Sequence, residues 1–236
     1  MDLEHKIWFD GVCCTDFGVV VSGEKCFAAA ERDVTLIDVP GRSGSLVIDN
    51  GRYKNCTIQY SAFCRDFINQ ASSIRSWLTR STGYCRLQDS YDQDCFRLAR
   101  CVGPIDFSPG FLNRTATFDM LFDCKPQRYY LDGENAVRLS VSGRIYNQTA
   151  FPALPLVTVS GSGEGSLTIG ERTVTILSLD GTLVLDSDTQ NAYKGTENKN
   201  STIRAAEFPV LNPGDNEISW TGGVTGVEFI PRWWTL

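Results

Sequence analysis

The chain has 236 residues, of which 42% are hydrophobic and 11% aromatic, enough to build one large β domain or two smaller domains around a real core. Its formal net charge of −6 gives no indication of the basic face that nucleic-acid binding requires, so we expect no nucleic-acid partner. No stretch approaches the roughly 20 apolar residues of a membrane-spanning helix, and the first residues lack the regions of an export signal. We therefore expect a protein made in the cytosol without membrane insertion.

The nine cysteines are an odd number, and all of them lie between Cys13 and Cys124. None has the spacing of a CxxC or histidine-paired metal site, and His5 is the one histidine of the chain. This pattern predicts free, mostly buried thiols that act as small hydrophobic groups in a reducing compartment. We expect no metal site and no cofactor.

The first patterned stretch is VPGRSGSLVIDNGRYKN, residues 39–55, in which glycines and arginines flank a short apolar run. A phosphate-binding loop would have to open a helix, whereas these glycines lead into the β-favouring run Ser45–Ile48. Asn50–Gly51 is the strongest short-range hairpin signal, because both turn residues must accept a positive φ. The stretch therefore predicts a hairpin whose tip lies near Asp49–Gly51, rather than an anion site.

The segment RDFINQASSIRSWLTRSTG breaks the strand pattern and predicts an amphipathic helix over about 66–81. Its apolar residues fall at positions i, i+4, i+7 and i+11: Phe67, Ala71, Ile74 and Leu78. Trp77 would widen this buried face, Asp66 could cap the start and Gly83 the end. A single helix among strands has to bury its stripe either across a sheet face or against a neighbouring subunit, and we expect the first.

Most of the chain alternates apolar and polar residues in the manner of antiparallel strands. The clearest case is TATFDMLFDC, where the predicted inward residues are Ala116, Phe118, Met120, Phe122 and Cys124. Val137, Leu139 and Val141 alternate in the same way, and further predicted strands are 155–160, 166–169, 173–177, 182–186, 217–221 and 227–230. A domain boundary is expected near 126–134, and the polar stretch 186–207 is expected to be a mobile loop.

Residues with catalytic potential do not form a recognisable set. His5 has no evident nucleophile motif beside it, and Asp186 and Asp188 are more typical of a polar turn than of a metal or glycosidase site. Glu217 is a remote alternative acid of the same kind. We expect a protein that is not an enzyme.

The tryptophans offer an alternative function, because aromatic rings on a β-sandwich can stack on sugars. Trp220 and Trp234 are the candidate glycan contacts of a carbohydrate-binding adhesion module for host cell-wall glycans. The competing interpretation places Trp220 in the core on the face of Ile218. Adjacent Trp233 and Trp234 must point to opposite faces of a strand, so at most one of them packs inside.

Three stretches together resemble the distal tail (Dit) proteins of long-tailed, non-contractile phages, also known as siphovirus tail components. The first has Pro40–Gly41–Arg42, Gly44, Asp49, Gly51 and Tyr53 near a β run. The second is the proline-flanked FPALPLVTVSGSGEGSLTIG. The third is FPVLNPGDNEISWTGGVTGVEFIPRWW, which closes on Arg232–Trp233–Trp234. They follow in the expected order over nearly the whole chain.

This resemblance implies a mainly β fold with two β-sandwich domains, 1–130 with one amphipathic helix and 131–236 of galectin-like form. It implies a structural virion protein, assembled in the host cytoplasm, that forms a homo-hexameric ring at the distal end of the phage tail. Such a ring joins the tail-tube protein to the tail-associated hub or tip protein of the baseplate and, in many phages, to receptor-binding components. The implied partners are thus other tail proteins and copies of the same chain.

A closed ring requires two different surfaces on each copy. We expect these surfaces in the first domain, whose 15 basic and 16 acidic residues nearly balance, whereas the second has 7 and 12. The candidate interface residues come from an N-terminal edge strand, the hairpin tip and the outer face of the helix: Lys6, Ile7, Trp8, Phe9, Asn50, Gly51 and Arg75.

Overall fold

The computed structural model describes residues 5–21, 24–25 and 27–236. It divides into two compact units. The first contains the residues up to Arg128 together with Leu236, and the second runs from Tyr129 to Thr235. The division lies beside the boundary that the sequence suggests, and the assignment of 1–130 as a ring-forming domain and of 131–236 as a galectin-like domain stays a prediction. The described residues are mostly strand with one α-helix, which confirms the predicted mainly β fold class.

The first unit contains ten strands, β1 to β10, and the helix α1. The strands are β1 Ile7–Phe9, β2 Val12–Cys13, β3 Val19–Val21, β4 Arg32–Ile37, β5 Leu46–Tyr53, β6 Cys56–Cys64, β7 Cys85–Asp89, β8 Asp92–Cys101, β9 Ser108–Gly110 and β10 Thr115–Tyr130. The helix α1 is Phe67–Thr79, and Cys14–Phe17 form a short 3-10 turn.

The main sheet of this unit has the strand order β2-β1-β7-β8-β10-β6-β3, with β9 beside β10. The pairs β1–β2, β1–β7, β7–β8, β6–β10 and β3–β6 are antiparallel. β6 and β10 pair over nine residues, from Ala116 opposite Cys64 to Cys124 opposite Cys56. Every second residue of β6 is buried, and the five predicted inward residues of β10 are all buried. The sequence prediction for this strand is confirmed because strict alternation in a one-sided sheet fixes which face meets the core.

The helix α1 closes one side of that core through Ile74, Trp77 and Leu78, all at most 2% exposed. The Trp77 indole donates a hydrogen bond to the Phe9 carbonyl oxygen at 3.0 Å, which satisfies its buried N–H. Asp66 is the N-cap residue, as predicted, but its carboxylate accepts hydrogen bonds from the Asn69 side chain and caps no backbone N–H. Arg80, not Gly83, follows the last helical residue.

The predicted hairpin turn at Asn50–Gly51 is also wrong. Both residues lie within β5, and the turn lies in the glycine-rich segment 38–45 between β4 and β5. Gly41 and Gly44 supply the positive φ angles of that turn, at 80° and 81°. The positive φ of Gly51, 74°, instead accommodates a bulge, because β5 has three residues where β4 has one.

The second unit is built from strands β11 to β19 and two 3-10 turns, Leu131–Glu134 and Asn200–Thr202. The strands are β11 Val137–Leu139, β12 Gly143–Asn147, β13 Leu156–Ile169, β14 Arg172–Asp186, β15 Asn191–Lys194, β16 Glu197–Asn198, β17 Ile203–Ala205, β18 Gly214–Ile230 and β19 Trp234–Thr235. The sheet order is β11-β18-β13-β14-β15-β16, with β12 beside β18 and β17 beside β14.

Three of these strands, β13, β14 and β18, are much longer than the short strands that the sequence predicts. Each pair of predicted strands is one continuous strand, with register shifts at Gly161–Gly165 where β13 crosses β18. A Cβ atom on Gly223 would lie 1.7 Å from the Ser162 carbonyl oxygen, so only glycine fits this close approach. Both halves of β13, Val157 and Leu167 among them, pack into one core, because the bulged strands bend around it.

The polar stretch 186–207, expected as a mobile loop, contains β15, β16 and β17. Asn191 and Asn200 bring these short elements together, since the Asn200 side chain accepts a hydrogen bond from the Ala192 N–H and donates one to Asn191. The Val137–Val141 prediction is correct only in part. β11 ends at Leu139, and Val141 lies outside it with a side chain that is 72% exposed.

None of the helices in the described residues is long and apolar enough to cross a membrane. The eight cysteines in the described part of the chain are all free, and five of them are buried. Burial raises the pKa of Cys14 to about 11 and that of Cys124 to about 12, so both remain thiols at neutral pH.

Candidate assembly surface

The arm, residues 32–53, is an antiparallel hairpin of β4 and β5 that forms a two-stranded sheet of its own. No side chain between 35 and 52 is buried, so the arm extends away from the core of its unit. An isolated two-stranded hairpin is at best marginally stable in water. The arm therefore presents backbone and side chains that are suited to contact with another surface.

The distal half of the arm is apolar on both faces. Six exposed hydrophobic side chains lie there: Leu36, Ile37, Val39, Leu46, Val47 and Ile48. Leu36 lies opposite Val47 on one face, while Ile37 lies opposite Leu46 on the other, because neighbouring residues of a strand point to opposite sides. A surface hairpin with one solvated face would carry apolar residues on one side only, so this arrangement fits insertion between two surfaces.

Ion pairs occupy the proximal half of the arm. The Arg32 guanidinium donates to both carboxylate oxygens of Asp49, with Nη2 to Oδ2 at 2.6 Å, and Arg52 Nε donates to Asp33 Oδ2 at 2.7 Å. These hydrogen bonds lower the pKa of Asp49 and of Asp33. The Arg32–Asp49 pair spans the bulge and the Arg52–Asp33 pair lies within it, so the two pairs link β4 and β5 across their irregular region.

A nearly buried ion pair lies close to the start of the arm. Lys25 Nζ pairs with the Asp89 carboxylate, and each side chain is only 7% exposed. The Tyr60 hydroxyl donates to Asp89 Oδ2 at 2.5 Å, and the Tyr91 and Phe27 rings lie within 6 Å of the Lys25 ammonium. Burial, with the Asp89 charge, raises the pKa of Tyr60, so its hydroxyl stays a donor. This cluster holds Lys25 against Asp89 and Tyr60 of the main sheet.

The structure relocates part of the predicted interface. β1 is not an edge strand, because it pairs with β2 on one side and β7 on the other. Ile7 and Phe9 are fully buried in the core of their own unit, whereas Trp8 is 37% exposed on the opposite face. The Ile7 and Phe9 side chains therefore cannot meet a neighbouring copy without unfolding.

The remaining predicted residues lie on the surface. Asn50 and Gly51 are exposed in the proximal half of the arm rather than at its tip, and the Asn50 side chain donates to Asp33 and Thr35. Arg75 is exposed on α1, with its guanidinium 5.1 Å from the centre of the Phe107 ring. Lys6 is half-buried, and its backbone N–H donates to the Ser90 hydroxyl.

Sequence reasoning missed the six apolar side chains of the distal arm. The sequence does contain a signal for this two-sided surface, the adjacent pairs Leu36–Ile37 and Val47–Ile48. Two consecutive apolar residues in a strand place one side chain on each face. We interpreted the second of these pairs only as a β-favouring run. Nothing in a local pattern says whether such a strand is covered by its own chain.

Two of the acids with catalytic potential, Asp186 and Glu217, form ion pairs with arginines. Asp186 Oδ1 accepts hydrogen bonds from Arg232 Nη1 at 2.6 Å and from the Asp188 N–H at 3.1 Å, which is turn and ion-pair chemistry. Burial tends to raise the pKa of Asp186, but the Arg232 hydrogen bond outweighs it and the net shift is downward. Glu217 pairs with Arg144 on the surface. Within the described residues no group of three or more acids, histidines or cysteines could hold a metal ion.

The two tryptophans of the glycan alternative are half-buried against the core of the second unit. Trp234 stacks on Phe151 with ring centres 4.5 Å apart, and its indole N–H donates to the Pro152 carbonyl oxygen. Trp233 is the buried member of the adjacent pair, at 7% exposure. Phe151 thus covers one face of the Trp234 ring, and glycan contact by Trp220 or Trp234 stays a prediction.

Comparison with solved structures identifies the fold as that of phage tail hub proteins. The chain is similar to the SPP1 Dit (gp 19.1) protein, a paradigm of the hub adsorption apparatus in phages that infect Gram-positive bacteria, with a TM-score of 0.77 and 11% identity over 98% of this chain and 99% of that one. It is also similar to a chain of the phage P2 baseplate in its activated conformation with Ca, with a TM-score of 0.56 and 9% identity over 96% of each chain.

A chain of the phage p2 baseplate with Sr gives nearly the same values, a TM-score of 0.55 and 9% identity. No family model matches the sequence, and no curated protein matches it. The likeness is therefore one of fold, and it confirms the resemblance to the Dit fold that the sequence suggests.

Proposed function

We propose that this chain is a non-enzymatic structural protein of a phage tail and forms a hexameric ring at the distal end of the tail. The observation that carries the proposal is the arm, whose distal half is apolar on both faces and uncovered by its own unit. The fold shared with a phage hub protein and with baseplate chains supports the tail location.

A ring of identical copies closes through head-to-tail contacts, in which one surface of a copy meets a different surface of the next. The arm is the first of these surfaces. β5 has eight residues and spans about 25 Å at strand rise, so the distal half reaches well beyond its own core. Fully covering a Leu, Ile or Val side chain contributes up to roughly 1.5–3 kcal/mol, so the six exposed residues supply a driving force that offsets part of the cost of association.

The other surface lies on the first unit of the neighbouring copy. Trp8, Arg75 and Lys6 remain candidates for it, because they lie on the surface of the unit that carries the arm. Asn50 and Gly51 belong to the arm itself. The first 130 residues are nearly neutral, so copies can pack closely through them without strong charge repulsion. The acidic second part of the chain is less suited to such packing.

In this proposal the ring joins the tail-tube protein to the hub or tip proteins of the baseplate. The second unit, for which a galectin-like form stays a prediction, is then peripheral and free to contact other tail components or a receptor-binding protein. Its net charge of −5 disfavours contact between second units of neighbouring copies.

Light scattering of the purified protein tests the ring, with the tail-tube protein added in a second series. A particle of six copies, alone or with the tail-tube protein, supports the proposal. A monomer at all concentrations in both series contradicts it. Antibody labelling of intact particles, viewed by electron microscopy, tests the location, and label along the tube or on the capsid contradicts it.

A further inference from the structure

Two of the free cysteines face each other across the central strand pair of the first unit. Cys56, the first residue of β6, is the register partner of Cys124 in β10. Both side chains belong to the core, at 7% and 0% exposure. Register partners of an antiparallel pair point to the same face of the sheet, so the two sulfur atoms are neighbours. The proposed ring uses neither thiol.

The backbone places this pair within reach of a disulfide bond. The Val102 N–H donates to the Leu121 carbonyl oxygen on the β8 side of β10, and backbone groups of successive strand residues point to alternate sides. Cys124 therefore directs its N–H and C=O toward β6, as a hydrogen-bonded partner of Cys56. Such partners have Cα atoms about 5.5 Å apart, and disulfides span Cα separations of about 4.4–6.8 Å.

Arg97 brings positive charge to the pair. Its Nη1 donates to the Cys56 sulfur at 3.6 Å and to the Pro126 carbonyl oxygen at 3.3 Å. In the part of the chain that the structure describes, no carboxylate pairs with this guanidinium. The thiolate is the form of cysteine that reacts with oxidants, and adjacent positive charge favours it. Cys56 is thus the reactive member, whereas burial raises the pKa of Cys124 to about 12 and keeps it a thiol.

A small cavity gives an oxidant access to this pair. Its volume is about 160 Å³, and Arg97, Ile58, Cys95 and Asp89 are among the residues that line it. This volume and the polar groups in the wall suit a molecule of the size of water or hydrogen peroxide. Because the Arg97 guanidinium both lines the cavity and contacts the Cys56 sulfur, an oxidant in the cavity comes close to that sulfur.

We infer that Cys56 and Cys124 are a redox pair, which an oxidant of the peroxide class converts into a cross-strand disulfide. The Cys56 thiolate attacks one oxygen of hydrogen peroxide, the O–O bond breaks, and hydroxide leaves, which gives a sulfenic acid on Cys56. The Cys124 sulfur then attacks the Cys56 sulfur, the S–O bond breaks, and the departing hydroxide takes the Cys124 proton as water. Both thiols are oxidised, and the peroxide is reduced to water.

The new bond would anchor the base of the arm. The arm ends at Tyr53, and β6 begins at Cys56, so the disulfide ties the chain just after the arm to the centre of the main sheet. Cβ atoms of register partners lie about 4.5–5.5 Å apart, whereas a disulfide holds them at about 3.5–4.5 Å. The two strands must approach slightly, which makes the bond strained and readily reduced.

Peptide mapping of the full chain tests the pair. The protein is purified with reduced thiols and treated with hydrogen peroxide, the remaining thiols are alkylated, and a non-reducing digest is examined by mass spectrometry. We expect a linked peptide pair that joins Cys56 to Cys124 and separates with dithiothreitol. Cys124→Ala and Cys56→Ala should each abolish this link. Cys64→Ala removes another buried thiol of β6 and should leave the link in place.

The inference is overturned if no linked pair forms under conditions that oxidise the half-buried Cys13. A link that joins other cysteines, a sulfenic acid that persists on Cys56, or loss of the link in Cys64→Ala would also overturn it. Circular dichroism of each reduced variant shows whether its fold is intact, and the wild-type map decides the question without any variant. The result does not depend on the ring, because the link forms within one chain.

Discussion

Leu36 and Val47 lie directly opposite each other on one face of the arm, and their side chains are 63% and 64% exposed. A cross-strand pair of this kind normally packs on a core, so its exposure here leaves apolar surface that another molecule can cover. The same is true of Ile37 and Leu46 on the other face. The account of assembly depends on this two-sided exposure.

Leu36→Asp should weaken self-association at least about tenfold, because it places a charge where an apolar contact worth roughly 1.5–3 kcal/mol would form. The melting temperature of the single chain should not change, since Leu36 touches no core of its own. Sedimentation velocity over a concentration series measures the effect. Val141→Asp is the matched control, as an exposed apolar residue of the second unit, and equal behaviour of both variants would remove the arm from the interface.

Asp89→Asn should destabilise the first unit by about 3–5 kcal/mol, because it leaves the nearly buried Lys25 ammonium without its counter-charge. Lys25→Met should cost less, since Asp89 keeps its hydrogen bonds from Tyr60 and from the Tyr91 and Asp92 N–H groups. Urea unfolding of both variants measures the difference. The reverse order would mean that the ion pair does not hold Lys25 against the main sheet.

Gly223→Ala should destabilise the second unit by more than about 2 kcal/mol, because the added methyl group would overlap the Ser162 carbonyl oxygen. Gly143→Ala in the same unit meets nothing closer than 3.5 Å and should stay within about 0.5 kcal/mol of the wild type. Hydrogen exchange of peptides from β13 and β18 reports the change. Equal protection in the two variants would argue against the glycine crossing.

The ion pair between Asp186 and Arg232 predicts a loss of stability in acid. The pKa of Asp186 is lowered from 3.8 in the folded protein, so its contribution is fully present above that value and is lost as the pH falls through the lower, folded pKa. Asp186→Asn removes this dependence. Thermal melts from pH 6 to about pH 2 should therefore show a shallower acid decline in the variant, and parallel curves would contradict the assignment.

Thiol labelling should divide the cysteines by burial. In the folded protein at about pH 8, alkylation should modify the half-buried Cys13 and Cys85 before the buried Cys64 and Cys124, whose pKa is raised. Mass spectrometry of digested samples identifies each site. Labelling of Cys124 as fast as Cys13 would indicate that the β6–β10 pair opens readily.

Local patterns were sufficient where one face of a strand or helix meets the core. The alternation from Ala116 to Cys124 and the stripe from Phe67 to Leu78 were both predicted correctly, because burial imposes a period of 2 or 3.6 on the sequence. Asn50–Gly51 was misleading, since a positive φ serves a bulge as well as a turn.

The long strands and the assembly surface were not predictable in this way. The glycines at 161–165 predict a break between two strands, whereas in the structure they allow the continuous strand β13 to bend and cross β18. Whether β1 is an edge strand, and whether the distal arm is covered, depends on contacts between residues far apart in sequence. A short window of the sequence does not contain such tertiary contacts.

Electron cryo-microscopy of the purified assembly tests the central claim most directly. The account predicts closed rings of six copies in which each arm lies against the first unit of the neighbouring copy, with Leu36 and Val47 covered. Single copies with arms free in solvent, or rings that close through other surfaces while the arms stay exposed, would contradict it.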